Sequence, residues 1–420
     1  METWPEHTIA QRPNDSSLGS PGRLQSGVPE VSLSLQELEY MALQSNPTLS
    51  QARMVIRSAQ GGYLQAGLYP NPVAGYIADD MGNDGRAGVQ GMGLAQEIVT
   101  THKLRLGQGV ASYEIQRARF GLTKQQYSVL NAVRIGYYET LVAQRAVEVY
   151  EKLLDISNEG IRVTEKLGAA KEVSQADVLQ ARIEAEETQL NLNKARHLYR
   201  TAWGRLSATI GYPNMAATPL VGDIEKNLPN LEQNDLLNRI LEGSPELAAA
   251  RAAVNRARCN VALQCAERTP NFEISTAVKR DYGSEYTIAD FGFAMPIPIY
   301  NRNQGNIVAA QAELTSAVRE VRRIELDLHA RFIAAFEEYA LARQHVHSYT
   351  DTILPNAKKS LEMNSIGYRE GEFDYLMLLT AQRTYFSANL EYLINLGELW
   401  TKSVELEGML LSGGGLERPE

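Results

Sequence analysis

No apolar run in these 420 residues approaches the roughly 18 that a membrane-crossing helix needs, so a transmembrane helix is not expected. The opening segment, METWPEHTIAQRPNDSSLGSPGR, has no apolar core of the kind a secretory leader carries, and it reads as a disordered lead. Basic charge is in the minority. Lys and Arg number 41 against 50 Asp and Glu, for a net charge of −9, which argues against nucleic acid as a partner because phosphates need a basic face. Cysteine is scarce: Cys259 and Cys265 stand six positions apart in a helical run. Six residues turn a helix through about 600°, so the two thiols point to different faces. Neither a disulfide nor a four-ligand metal site follows, and both are expected as small buried residues.

The signatures of catalysis are missing as well. There is no GxxxxGK[ST], HExxH or GxSxG, and no Cys/His cluster. Gly82, Gly85, Gly88, Gly91 and Gly93 lack a following Lys-Ser/Thr and fall in a hairpin rather than before a helix. His345 and His347 are two apart and point to different helix faces, and the pairs Glu186-Glu187 and Glu337-Glu338 read as solvated helix faces. No catalytic residue, metal site or cofactor is expected, and the chain does not read as an enzyme.

What is present is long helix, interrupted twice. Residues 1–32 are rich in Pro, Ser and Gly. Ser34, with Glu37 at the third helical position, is a capping box for a first helix. Asn46-Pro47 ends that helix and starts a second, with Pro47 at its tolerated first-turn place. A hairpin follows at about 72–98, then a helix over about 103–167, carrying Val142, Ala146, Val149, Leu153 and Ile156 at heptad spacing. At 1.5 Å per residue that helix spans roughly 100 Å, too long for one globular domain. A reversal at 168–177 leads to a return helix started by Ser174 or Asp177, which Gly211-Tyr212-Pro213 breaks near 210. Residues 211–232, with Pro213, Pro219 and Pro229, form a connector.

The pattern then restarts. Ser45–Arg53 resembles Gly243–Arg251, and Pro47/Pro245, Pro72/Pro270 and Gly107/Gly305 all stand 198 apart. The chain is therefore read as a tandem duplication, with one repeat over 33–210 and a second over 233–411, followed by a flexible tail at 412–420. The second repeat has its hairpin at about 270–298, a long helix over about 303–367 that Pro355 should kink or restart, and a reversal at 367–374. Leu314, Val318, Val321, Leu328, Phe332, Ala335 and Tyr339 give its seam, with Glu325 as a polar interruption. Phe386, Leu390, Leu393, Gly397, Trp400 and Val404 give the seam of the return helix.

The hairpins set the functional question. Phe272, Ile274, Thr276 and Val278 alternate with Asn271, Glu273, Ser275 and Lys279, and Phe291 and Phe293 continue the apolar face in the partner strand. The first hairpin carries Val73, Tyr76, Met92 and Leu94, but its alternation is weaker, because Gln90 and Gln96 share the face of Met92 and Leu94. Each strand is near the roughly 9–11 residues that cross a bilayer when tilted. Lipid tolerates no open sheet edge, and the smallest single-chain membrane barrel has about eight strands. One chain offers four. Two chains would pool eight and three would pool twelve, and only twelve leave an open lumen. The alternative is a soluble coiled-coil scaffold with two solvent-exposed hairpins.

The order LQELEYMALQSNPTLSQAR, YPNP, strand pair, long helix, all repeated, resembles the TolC-type outer-membrane efflux proteins, with the Pro-Asn-Pro and Gly211-Tyr-Pro features most like the heavy-metal-efflux branch related to CzcC and CusC. Tyr368-Arg-Glu-Gly371-Glu-Phe-Asp374 with Leu378-Leu-Thr-Ala381-Gln382-Arg383 is similar to the family's helix-reversal motif, and Asp177-Val-Leu-Gln-Ala-Arg182 to the matching segment of the first half. The resemblance covers about residues 33–411. It implies a mostly α protein with a small β part: long coiled-coil helices forming an α-barrel, and four strands per chain given to a trimeric twelve-stranded transmembrane β-barrel. It implies an outer-membrane location with a periplasmic extension, and contact with outer-membrane lipid. It further implies a passive exit duct served by a periplasmic adaptor (membrane-fusion) protein and an inner-membrane pump. Adaptor docking and the gate would then lie at the reversals, at Gly168, Lys171, Ser174, Asp177, Tyr368, Arg369, Gly371 and Asp374. Some members place aspartates at a constriction just beyond the reversal glycine; the corresponding positions here are Met377 and Thr380. Asp374 itself is expected as a helix N-cap. The cargo, whether metal ion, drug or secreted protein, is not legible.

Overall fold

A computed structural model describes residues 32–82 and 85–411. The expected lead and tail fall outside that span, apart from residue 32. Among the described residues the chain forms nine α-helices and four strands. The first repeat comprises α1 (Leu35–Ser45), α2 (Pro47–Ala66), β1 (Val73–Asp79), β2 (Val89–Ile98), α3 (Lys103–Ala169) and α4 (Gln175–Ile210). The second comprises α5 (Gln233–Gly243), α6 (Pro245–Ala266), β3 (Phe272–Asp281), β4 (Thr287–Ala294), α7 (Gln304–Ser348), α8 (Leu354–Arg369) and α9 (Tyr375–Glu407).

Local chemistry sets the helix ends. Ser34 and Glu37 form the capping box of α1. Asn46 caps α2 and Ser244 caps α6, each followed by a proline at the first helical position. Gly211 closes α4 in the left-handed region at φ 99°, a conformation that costs glycine nothing. Before Pro355 the ladder widens into a π-turn over Tyr349–Ile353. Proline has no N–H to give the carbonyl four residues back, and a π-turn keeps the helix continuous around that gap.

Chain order becomes spatial order. The strands make one antiparallel sheet in the order β1-β2-β3-β4. The helices attached to them, α2, α3, α6 and α7, pack side by side in that same order. Towards the other end, α4, α3, α9 and α8 make a wall of equal width. A 67-residue α3 spans roughly 100 Å, so the molecule is a long plank with a sheet at one end and two helix reversals at the other.

The main core sits midway, where the walls meet the connector. Leu38, Leu49, Val133, Leu206, Leu247, Phe332 and Leu399 are buried there. Aromatic hydrogen bonds pin the connector down. Tyr137 Oη donates to the Val221 carbonyl at 2.5 Å, Trp203 Nε1 to Met215 at 3.0 Å, Tyr339 Oη to Pro229 at 2.7 Å and Trp400 Nε1 to Ile224 at 2.8 Å. Asn131, fully buried in α3, donates to the carbonyls of Gly408 and Leu411 at 2.8 and 2.9 Å and holds the end of α9.

Several expectations are corrected. Ile156 is 37% exposed, and Ser157 takes the buried place after Leu153. A straight helix drifts about 20° per heptad from a strict seven-residue stripe, so the seam of a helix this long walks around it. Val318 is 48% exposed, on an edge helix that packs mainly on α6 and α9 with only a small contact to α5. Gly107 and Gly305 are not equivalent. Gly107 is the fifth residue of α3 and Gly305 the second of α7, because α6 is two residues longer than α2 and the link from β4 to α7 is longer than that from β2 to α3. For the first of these reasons Pro270 matches Pro70 rather than Pro72. Cys265 is exposed and Cys259 half-buried, because α6 has α3 and α7 as its neighbours in the wall and its remaining surface is open. Glu337 and Glu338, by contrast, are exposed as expected, and Glu338 pairs there with Lys402 at 2.7 Å.

Candidate functional site

The two ends of the plank carry the candidate residues. At the reversal end, α3 closes on the Gly168 carbonyl, which accepts from Lys171 N–H at 3.1 Å, while Glu172 N–H reaches Leu167 at 2.9 Å. The second reversal repeats this: Gly371 N–H donates to Tyr368 at 3.3 Å and Glu372 N–H to Gly367 at 2.8 Å. Lys171 and Gly371, 200 positions apart, both occupy the left-handed region, at φ 62° and 77°. Three residues on, Ser174 and Asp374 are the N-caps. Ser174 Oγ donates to Asp177 at 2.7 Å and accepts its N–H at 3.2 Å, and Asp374 accepts the Met377 N–H at 2.9 Å.

The structure brings the two reversals together. Tyr368, buried, sits 3.1 Å from Thr164 Oγ1 of α3 through its hydroxyl, and its ring lies 5.8 Å from that of Tyr375. Around them Ala181, Leu378 and Leu379 form a small second core. Burial pushes the Tyr368 phenol up, and it pushes Tyr375 up to about 12. Gly367 is required here, because a side chain on it would collide with the Phe373 ring. Lys171, Arg369, Gly371 and Asp374 are exposed at the outermost turn, whereas Gly168 is half-buried with Val178 against it. Met377 and Thr380 lie on the exposed face of α9, with Thr380 Oγ1 donating to the Leu376 carbonyl at 2.8 Å.

One ion pair at this end escaped the sequence reading. Arg383 of α9 donates to Glu184 of α4 from Nε and Nη2, at 3.0 and 2.6 Å, and Glu187 lies 3.5 Å away. Those hydrogen bonds raise Arg383 further above its usual range. The signal was available: Glu184 falls at helical spacing among Ala181, Ala185 and Thr188, all buried, and a carboxylate on such a face needs a partner.

At the sheet end, register decides the faces, because directly paired residues share one. Tyr76 pairs with Met92, Met92 with Val278, Leu94 with Thr276, Thr276 with Phe291, and Ile274 with Phe293. That face is apolar and uncovered; Phe291 is 85% exposed. Phe272 shares it, with its ring 5.3 Å from Phe293. The other face carries Gly75, Gly91, Ser275, Ala277 and Gly292, with Lys279 held by Asp290 at 2.7 Å and Asp79 at 3.2 Å. A side chain at Gly91 would meet the Lys279 stem. Val73 lies on this second face, away from Tyr76, since the two stand three positions apart and alternate residues face opposite ways. Among the described residues neither edge strand, β1 or β4, has a partner on its outer side.

A sheet with one bare apolar face and two open edges, built onto a double-length helical wall, is the plan of a membrane channel subunit. The family model for the outer membrane efflux protein matches residues 38–212 and again 236–410. The chain belongs to the outer membrane efflux protein family. The two matches are offset by 198 positions, the spacing of Pro47 and Pro245. The efflux protein is similar to the cobalt-zinc-cadmium resistance protein CzcC of Cupriavidus metallidurans, 28% identical over 378 residues and 90% of each chain. Its fold is that of the outer-membrane channel OprN (TM-score 0.75, 20% identity, 90% of each chain) and of CusC (TM-score 0.72, 19% identity, 91% of this chain and 93% of that one). This is the TolC-type architecture, and the family is one of channels rather than enzymes.

Proposed function

We propose that this efflux protein is the outer-membrane exit duct of a three-part export system, that it works as a trimer, and that its cargo is divalent metal cation. The sheet carries the reading. Its apolar face is bare and both its edges are open, and a lipid-facing sheet persists only when closed on itself. Three chains supply twelve strands, enough to enclose a lumen. The helical walls continue that lumen as a periplasmic tube, with polar faces turned to water. The reversals at Lys171 and Gly371 form its inner end, where an adaptor docks and the tube narrows. Met377 and Thr380 supply no carboxylate at that level, so the duct conducts cations without an acidic ring there, and an inner-membrane pump sets selectivity and supplies energy. The metal cargo is supported by likeness to a cobalt-zinc-cadmium resistance protein.

The test is deletion and restoration of the gene. Loss of tolerance to cobalt, zinc or cadmium, restored by the intact chain in the outer-membrane fraction, is the expected result. Unchanged metal tolerance removes the cargo, and recovery of the native protein in the soluble fraction overturns the duct. In detergent, light scattering is expected to give the mass of three chains.

A further inference from the structure

The two repeats are copies, so the seam inside one chain is a template for the seam between chains. Helices α2 and α6 end at Ala66 and Ala266, and Pro70-Asn71 and Pro270-Asn271 follow them. Every β1 position therefore corresponds to the β3 position 200 further on. The hairpin registers fix the other strands. Val73 pairs with Ala95, and its counterpart Glu273 pairs with Ala294. Tyr76 pairs with Met92, and Thr276 with Phe291. Strand β4 is thus β2 shifted by 199. Between the repeats, β2 already pairs with β3, with Leu94 opposite Thr276, Met92 opposite Val278 and Gly93 opposite Ala277.

We infer that β4 closes on β1 of a second copy of this chain in the register of the β2–β3 seam, with Phe293 opposite Tyr76, Phe291 opposite Ala78 and Gly292 opposite Ile77. The inference rests on the trimeric reading above and adds a register to it. Face parity, which did not enter the alignment of the repeats, agrees with it. Phe293, Phe291, Tyr76 and Ala78 all belong to the apolar face, and a one-residue slip would turn one set to the wrong side. Strand length agrees too: the whole of β1 is covered by residues 290–296. Pro296, which has no N–H to give, falls opposite Val73 at the end of the ladder, where proline is tolerated. Slips of two residues keep the faces but set Phe293 against Ala74 or Ala78 and lose an aromatic pair of the kind worth about 0.5–1.5 kcal/mol. On the other face, Asp290 meets Asp79 of the next copy. Within each chain the two share the one Lys279, so closure joins three such triads into one charged belt around the lumen, with six carboxylates to three ammonium groups.

The experiment is pairwise thiol oxidation in membranes, in a chain carrying Cys259→Ser and Cys265→Ser. Tyr76→Cys with Phe293→Cys, and Ile77→Cys with Gly292→Cys, are expected to give covalent trimers. The slipped pairs, Phe293→Cys with Ala74→Cys or with Ala78→Cys, are expected to react about tenfold less, because diagonal Cβ atoms lie about 7–8 Å apart against about 4.5–5.5 Å for direct partners. Leu94→Cys with Thr276→Cys, paired within the chain, calibrates the reaction. Faster reaction of a slipped pair overturns the register and leaves the trimer standing. A trimer by light scattering that links at none of these pairs overturns closure of β4 on β1. A monomer overturns the trimeric reading and this inference with it.

Discussion

Lys171 and Gly371 fill the same left-handed position in the two reversals, with unequal ease. A non-glycine residue there costs roughly 1–2 kcal/mol, and glycine escapes that cost. Gly371→Ala is therefore expected to destabilise the second reversal by about 1 kcal/mol, seen as faster amide hydrogen exchange over 361–380 with the rest of α9 unchanged. Glu246 is a second informative residue. Burial acts to raise its carboxyl, but hydrogen bonds from Lys124 at 2.8 Å and Arg331 at 2.7 Å outweigh burial and leave it below its usual 4.5. A depressed carboxyl contributes stability that is fully present above pH 4.5 and is lost as pH falls through the folded-state value. Glu246→Gln is expected to lower stability at pH 7 and to flatten the loss between pH 5 and pH 3, measured by denaturant unfolding across that range. Asp374 and Ser174 were legible as caps because a cap needs only its own next three residues. The Arg383–Glu184 pair joins positions 199 apart and was not.

At the scale of elements, that pair is the clearest cross-link between α4 and α9 near the reversals. Arg383→Ala leaves the Glu184 carboxylate, nine-tenths buried, without its hydrogen bonds. Because Arg383 is itself half-exposed, a loss of about 1–3 kcal/mol is expected, rather than the larger cost of breaking a fully buried pair. Under the proposed function this loosens the narrow end. A higher single-channel conductance in planar bilayers is expected, and wild-type conductance counts against a gate at this level. Helix seams were legible where they were short. Leu328, Phe332, Ala335 and Tyr339 are all buried, whereas Ile156 and Val318 are not, because a heptad count ignores drift and the free side of an edge helix. The proline at 355 announced a kink or restart, and α8 does restart there with Pro355 in its first turn, while the π-turn before it was not legible.

At the scale of the whole molecule, the sheet is the element that cannot stand alone, and the helical wall inherits its incompleteness. The sequence by itself determined the elements, their duplication and the apolar face of the second hairpin, where alternation is clean. Alternation, caps and breakers act over a few residues, and a repeat is visible as repetition. The tertiary structure decided that β2 pairs with β3, that the order of strands is the order of helices, and that the two reversals meet through Tyr368 and Thr164. It also decided which offset makes the repeats equivalent: 198 at the prolines that open α2 and α6, 200 at β1 and β3 and at the reversals, and 199 at β2 and β4. Those facts depend on register between segments that lie far apart along the chain. A period of two or of 3.6 fixes which way a side chain faces along its own element. It says nothing about which residue of another element stands opposite.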